Sequence, residues 1–227
     1  LVRAFRRERG ALPPPAQWGW LGGAVLSGGV AGPVLLMLGL QGYPAASASL
    51  LLNGEGVLTA LLAWCVFKEN VDRRVALGML AIVVGAVVLS WPVGAQPAWG
   101  GWRSVGLILA ACLAWAIDNN LTRKVALSDA GFIAMLKGLV AGSVSLGIAW
   151  ASGASWPTAG VVLQAALLGF ASYGVSLVLF VLALRHLGTA RTGAYFSVAP
   201  FAGAALSVWW LGEPLSGQLL SGGVLMA

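Results

Sequence analysis

Charge is what this 227-residue chain has least of: Asp, Glu, Lys and Arg make up 9% of it, against 59% hydrophobic residues, and the mean hydropathy is +0.89. A soluble domain carries about 25% charged residues, so this chain has too little polar surface to cover itself in water. Cys65 and Cys112 both sit in apolar runs, without CxxC or Cys/His spacing, which argues against a metal site and a structural disulfide. HExxH, GxSxG, paired aspartate motifs and phosphate-cradling glycine loops are missing. The familiar machinery of hydrolysis and of nucleotide-driven chemistry goes with them, so neither an enzyme nor a cofactor is expected. The net charge of +6 comes from short basic clusters between apolar runs and not from a basic groove with interleaved aromatics, so nucleic acid is not an expected partner.

Long apolar runs are what the chain has in their place. Hydropathy over a window of roughly 19 residues predicts spans at 17–40, 45–67, 75–91, 102–122, 131–151, 158–184 and 192–211, with a partial one at 216–227. These runs are far longer than the roughly 10 residues of a barrel strand and lack its alternation. The fold class is therefore an all-α polytopic membrane protein, with the lipid bilayer as its solvent.

Lys and Arg fall on alternate boundaries: Arg3, Arg6, Arg7 and Arg9, then Lys68, Arg73 and Arg74, then Arg123 and Lys124, then Arg185 and Arg191. The other boundaries hold only Arg103, so the first set is expected to be cytoplasmic. Trp91, Trp99, Trp102, Trp150, Trp156, Trp209 and Trp210 would form the outer aromatic belt, and Trp18, Trp20 and Trp64 the inner one. Glycine-rich patterns at 28–32 and 169–174 suit close helix packing.

Glu55 is the costliest residue in this scheme. It lies in the middle of a span, about 15 Å into its helix, and no neighbour in sequence can neutralise it. Lys137 lies about 10–14 Å into its own span from the opposite side, so the two are expected to approach within reach of each other or of shared water. Trp115, Asp118 and Asn119 share a helix face, giving an aromatic plate and two polar groups toward the bundle interior. The competing reading makes Asp118 part of a cytoplasmic cap paired with Arg123 or Lys124. Tyr173 between Gly169 and Gly174, and Tyr195 one turn past Arg191, are further candidates for a cavity wall, each weighed against plain packing. Pro200 would interrupt its helix ladder and free carbonyls for binding. Asn53 is read as interhelical glue, His186 as a loop residue, and Glu69 and Glu213 as turn caps or gate contacts at opposite faces.

Residues 60–78 superpose weakly on 204–222, with Glu69 falling on Glu213 and Gly78 on Gly222. The matched spans are an odd number apart, so they would point in opposite directions, as inverted repeats do. The acid-containing turns at 67–74 and 210–217, the glycine-rich spans that follow at 77–86 and 220–225, and the segment 184–200 together resemble the EamA-like drug/metabolite transporter superfamily. The resemblance implies ten helices in two inverted five-helix repeats, with 1–91 as the last three helices of the first repeat and 102–227 as the second, its last helix cut short. On that reading both ends of the chain are cuts in a larger protein. A Pro that the family often carries in its fourth helix is replaced here by Gly56.

The function implied is secondary-active transport of a small-molecule metabolite or drug by alternating access, outward and proton-coupled, in a bacterial inner membrane. A homodimer is compatible with it. A channel or an intramembrane enzyme is the alternative. Glu55 would accept the coupling proton or counter a cationic substrate. Lys137 would hold Glu55 ionised or meet a substrate carboxylate.

Overall fold

Runs of Leu, Val and Ala with few polar groups leave a helix as the form that satisfies every backbone group internally in lipid, and helices are what form. The computed structural model describes residues 12–68, 73–91, 98–196 and 198–227, and within these the chain is helical apart from turns. The helices are α1 (Pro15–Gly39), α2 (Ala45–Cys65), α3 (Arg73–Ser90), α4 (Ala98–Val125) and α5 (Ala130–Ala151), then α6 (Ala159–Leu187), α7 (Thr189–Phe196), α8 (Ala199–Leu211) and α9 (Gly217–Met226). Arg3, Arg6, Arg7, Arg9 and Glu69 lie outside the described residues.

Local chemistry sets the ends. The Asp129 carboxylate accepts from Phe132 N at 2.7 Å to start α5, and the Ser216 hydroxyl accepts from Leu219 N at 3.0 Å to start α9. Gly188 (φ 79°) and Gly212 (φ 68°) end α6 and α8 in a conformation that a side chain would strain. Arg185 donates to Ala126 O and Ser128 O, both at 2.6 Å, tying the end of α6 to the turn between α4 and α5.

Four helices depart from regularity. In α1 the segment Val25–Ala31 is a π-helix, and in α6 so is Gly169–Val175. Each contains a serine whose hydroxyl donates to the carbonyl four residues back, Ser27 to Gly23 O and Ser172 to Leu168 O. That competing bond bends helices. α2 breaks at Leu52–Asn53, where Glu55 N bonds Leu52 O at 3.0 Å and Gly56 N bonds Asn53 O at 3.1 Å, a tighter i to i−3 pattern. The span expected at 192–211 is interrupted before Pro200, which has no N–H to continue the ladder, and so becomes α7 and α8.

Among the described residues, five helices are long and apolar enough to cross a membrane, and Ala76–Ser90, Ala199–Leu211 and Gly217–Met226 are shorter apolar helices. Of the seven full spans read from hydropathy, five are single helices of that length, while the one at 192–211 is carried by α7 and α8 in succession and the one at 75–91 by α3, whose apolar part is shorter.

The irregularities recur at a fixed interval along the chain. Helix α1 begins at 15 and α6 at 159, α2 at 45 and α7 at 189, α3 at 73 and α9 at 217, so the same shift relates each pair. The π segments obey it too, starting at 25 and 169 and ending at 31 and 175. The first half of α2 packs on α8, and its second half on α7, so the two broken spans lie antiparallel. Their contacts exchange under the shift. Ser49 donates to Pro200 O at 2.8 Å. The shift carries Ser49 to Gly193 and Pro200 back to Gly56, and these meet likewise, with 4.0 Å from Gly193 O to the place a Gly56 Cβ would take.

Two apolar clusters hold the bundle. One joins Leu50 and Leu51 of α2 to Leu89, Ile108, Leu219 and Met226. The other joins Leu21 and Val25 of α1 to Ile133, Val181 and Leu184. α3 and α9 approach closely at glycine, where a Cβ on Gly222 would strike the Leu89 side chain and one on Gly85 would strike Met226. The glycines at 28–32 are likewise at close contacts, whereas Gly169 has open space beside it.

Candidate functional site

A cavity of about 480 Å³ lies where α1, α2, α4, α5, α6, α7 and α8 converge. Its symmetry is that of the helices. Gly28 and Ser172, Leu36 and Phe180, Leu52 and Phe196, and Gly56 and Pro200 all line it, each pair related by the shift that carries α1 onto α6. The walls are thus built alike from both halves of the chain. The charge is not. Glu55 corresponds to Ala199, and Glu55, Asp118 and Lys137 are the charged residues among those lining the cavity.

Lys137, 1% exposed, donates to Asp118 Oδ1 at 2.5 Å and to Thr122 Oγ1 at 3.1 Å. Thr122 in turn donates to Asp118 Oδ1 at 2.8 Å, closing a triangle between adjacent helices. The direct Glu55–Lys137 pair is therefore corrected, because Asp118, from the helix joined to α5 by a short turn, takes the ammonium; the two residues share the cavity without touching. The cap reading of Asp118, with Arg123 or Lys124 as partner, is replaced by the same contact. A buried pair of this kind needs both partners, since either alone leaves an uncompensated charge.

Glu55 takes a different partner. Asn119 Nδ2 donates to Glu55 Oε1 at 2.8 Å and lies 3.2 Å from Thr59 Oγ1. Among the described residues Asn119 is its one hydrogen-bond donor, and no cation is paired with it. Glu55 sits at the start of the second half of α2, immediately after the break. The backbone freed there is partly satisfied by Cys112, whose Sγ lies 3.8 Å from Leu51 O and 4.0 Å from Leu52 O.

Trp115 Nε1 donates to Gly28 O at 3.0 Å, which fixes the indole against α1 at the place where Gly32 carries no side chain. Gly28 also leaves room for Asp118: a Cβ there would overlap the carboxylate. Trp115, Asp118, Asn119, Tyr173 and Pro200 all line the cavity together with Glu55 and Lys137. Tyr195 does not; its side chain is 73% exposed and faces away, because α7 turns its other side, with Gly193 and Phe196, inward. Asn53 lines the cavity and also reaches α9, with Nδ2 3.9 Å from Met226 Sδ. Ser49, Thr59 and Thr122 were not singled out from sequence, although each is a hydroxyl-bearing residue inside an apolar run, and Gly28 was read only as a close-packing glycine.

Away from the cavity lining, Glu213 accepts from Ala45 N at 2.7 Å through Oε1 and from Ala46 N at 2.8 Å through Oε2. It caps α2 from the α8–α9 turn, because Pro44 before the helix offers no side-chain acceptor.

A helical membrane protein with a charged cavity between two similarly built halves is the class that these features define. Residues 1–91 and 102–227 each match the EamA-like transporter family, and the chain belongs to that family. It is 31% identical over 201 residues to an uncharacterized transporter of Methanothermobacter thermautotrophicus, a match that covers 87% of this chain and 59% of the relative. The chain thus spans less than two thirds of that protein's length. A solved crystal structure superposes with a TM-score of 0.66 at 19% identity, covering 99% of this chain and 88% of the other, and shows the fold.

Proposed function

We propose that the protein is a secondary carrier that binds a small metabolite in this cavity and releases it by alternating access, with 1–91 and 102–227 as two inverted repeats. The observation that carries the reading is the cavity's position: equivalent residues line it from both halves, at the breaks of two antiparallel spans. Rocking one half against the other would expose such a site to each side in turn. The break in α2, Gly28 of the π segment in α1 and Ser172 and Tyr173 of the π segment in α6 all border the cavity, which supports a functional use of the irregular backbone. The basic boundaries assign one face to the cytoplasm, in keeping with a plasma (bacterial inner) membrane. Export is the direction that the family resemblance implies.

Glu55 is the coupling group in this reading. A carboxylate without a cationic partner is unfavourable by several kcal/mol in a low-dielectric site, so it binds either a proton or a cation. Asp118 and Lys137 from α4 and α5, Tyr173 from α6 and the Cys112 thiol from α4 are the titratable groups around it.

The test is uptake and efflux of a metabolite panel by the full-length protein in proteoliposomes, with and without a pH gradient. Gly193→Phe, which fills the cavity from α7, serves as the blocked variant. Saturable flux that this variant abolishes is expected. Flux indifferent to it, or single-channel currents, would overturn the carrier reading.

A further inference from the structure

We infer that the cavity selects organic monocations, namely amines with an apolar or aromatic body, over zwitterions of the same skeleton. The inference deepens the carrier reading and rests on it. The charges lining the cavity do not balance: Lys137 is matched by Asp118 and further held by Thr122, while Glu55 has only the neutral Asn119 amide. One carboxylate is left over. A ligand ammonium at Glu55 supplies the missing charge and can donate to Glu55 Oε2, which accepts no hydrogen bond from the described residues.

The remainder of the wall fits the remainder of such a ligand. Trp115, Tyr173, Phe180 and Phe196 line the space, and a cation is attracted to aromatic faces. The volume of about 480 Å³ is in the range of small-ligand sites.

A zwitterion meets the opposite condition. Its carboxylate would enter a cavity that already holds two carboxylates and one ammonium, and the ammonium is engaged. The Lys137 ammonium is 1% exposed and its charge is already matched by Asp118, so a ligand carboxylate brought there adds a further buried anion that no cation balances. Specificity here comes from a repulsive element as much as from an attractive one.

The matched probes are 2-phenylethylamine and phenylalanine, which differ by one carboxylate. Binding of each to the full-length protein is measured by calorimetry and by competition with flux. The amine is expected to bind at least tenfold more tightly than the amino acid. That preference is expected to vanish in Glu55→Gln and to persist in Glu55→Asp, which keeps the charge. Equal or tighter binding of the amino acid overturns the inference, and so does a preference that survives in Glu55→Gln. If neither probe binds while another metabolite's flux is blocked by Gly193→Phe, the ligand class is wrong and the carrier reading stands. If the amine binds equally well to Gly193→Phe, the cavity is not its site and the inference fails, while the carrier reading stands or falls by its own flux test.

Discussion

Asp118 of α4 and Lys137 of α5 meet at 2.5 Å beside the π segment of α1, on which both helices pack, and Gly28 of that segment leaves the space that the carboxylate occupies. An ion pair seated in this way is a unit. Asp118→Asn or Lys137→Met alone is expected to destabilise the protein by about 3–5 kcal/mol, and the double replacement by much less than the sum. Thermal unfolding of the four proteins in detergent gives the cycle. Simple additivity would show that the two groups do not act as a pair.

Gly28 provides the second prediction. Gly28→Val places a branched side chain where Asp118 lies, and overpacking of this kind costs about 1–3 kcal/mol. Transport should fall as the ion pair is displaced. Gly138→Ala on α5 is the control: nothing lies within 4 Å of its Cβ, and helix propensity favours the change by up to about 1 kcal/mol. Equal melting temperatures for the two variants would contradict the packing described.

The Glu213 cap gives the third. Glu213→Ala removes both acceptors from Ala45 N and Ala46 N and is expected to cost about 0.5–2 kcal/mol, as loss of a helix cap does. Glu213→Gln should recover part of it. Hydrogen exchange at the start of α2 should rise in the alanine variant, and unchanged protection there would rule out the cap.

The cysteines allow a direct check of the fold. Cys65 is exposed and Cys112 is buried among α2 and α4. A membrane-permeant maleimide should label Cys65 in the folded protein and reach Cys112 only after denaturation. Mass spectrometry of the labelled peptides reads the outcome; rapid native labelling of Cys112 would mean that α2 and α4 do not pack as found.

Much of this was legible in the chain. The span expected at 131–151 is Ala130–Ala151, and the one at 45–67 is Ala45–Cys65, because apolar length and basic flanks determine where a helix enters and leaves lipid. The weak match of 60–78 to 204–222 already carried the shift that relates the two halves. What stayed hidden was azimuth. Depth along the axis put Glu55 level with Lys137, but only the way α4 packs on α1 and α2 shows that Asp118 takes the lysine. The break in α2 was hidden too, since no proline marks it: Gly54 and Gly56 flank Glu55, and the tighter hydrogen bonds do the rest. Tyr195 failed for a similar reason. A two-turn helix has no periodicity long enough to say which side faces inward.

The constant shift between the halves supplies a matched pair of rulers. Probes at 49 and 200 span one crossing of the broken helices, and probes at 193 and 56 span its copy. A molecule that tilts about the axis between its halves must lengthen one separation as it shortens the other. Two distances recorded together would then distinguish a rocking motion from swelling, in which both would grow.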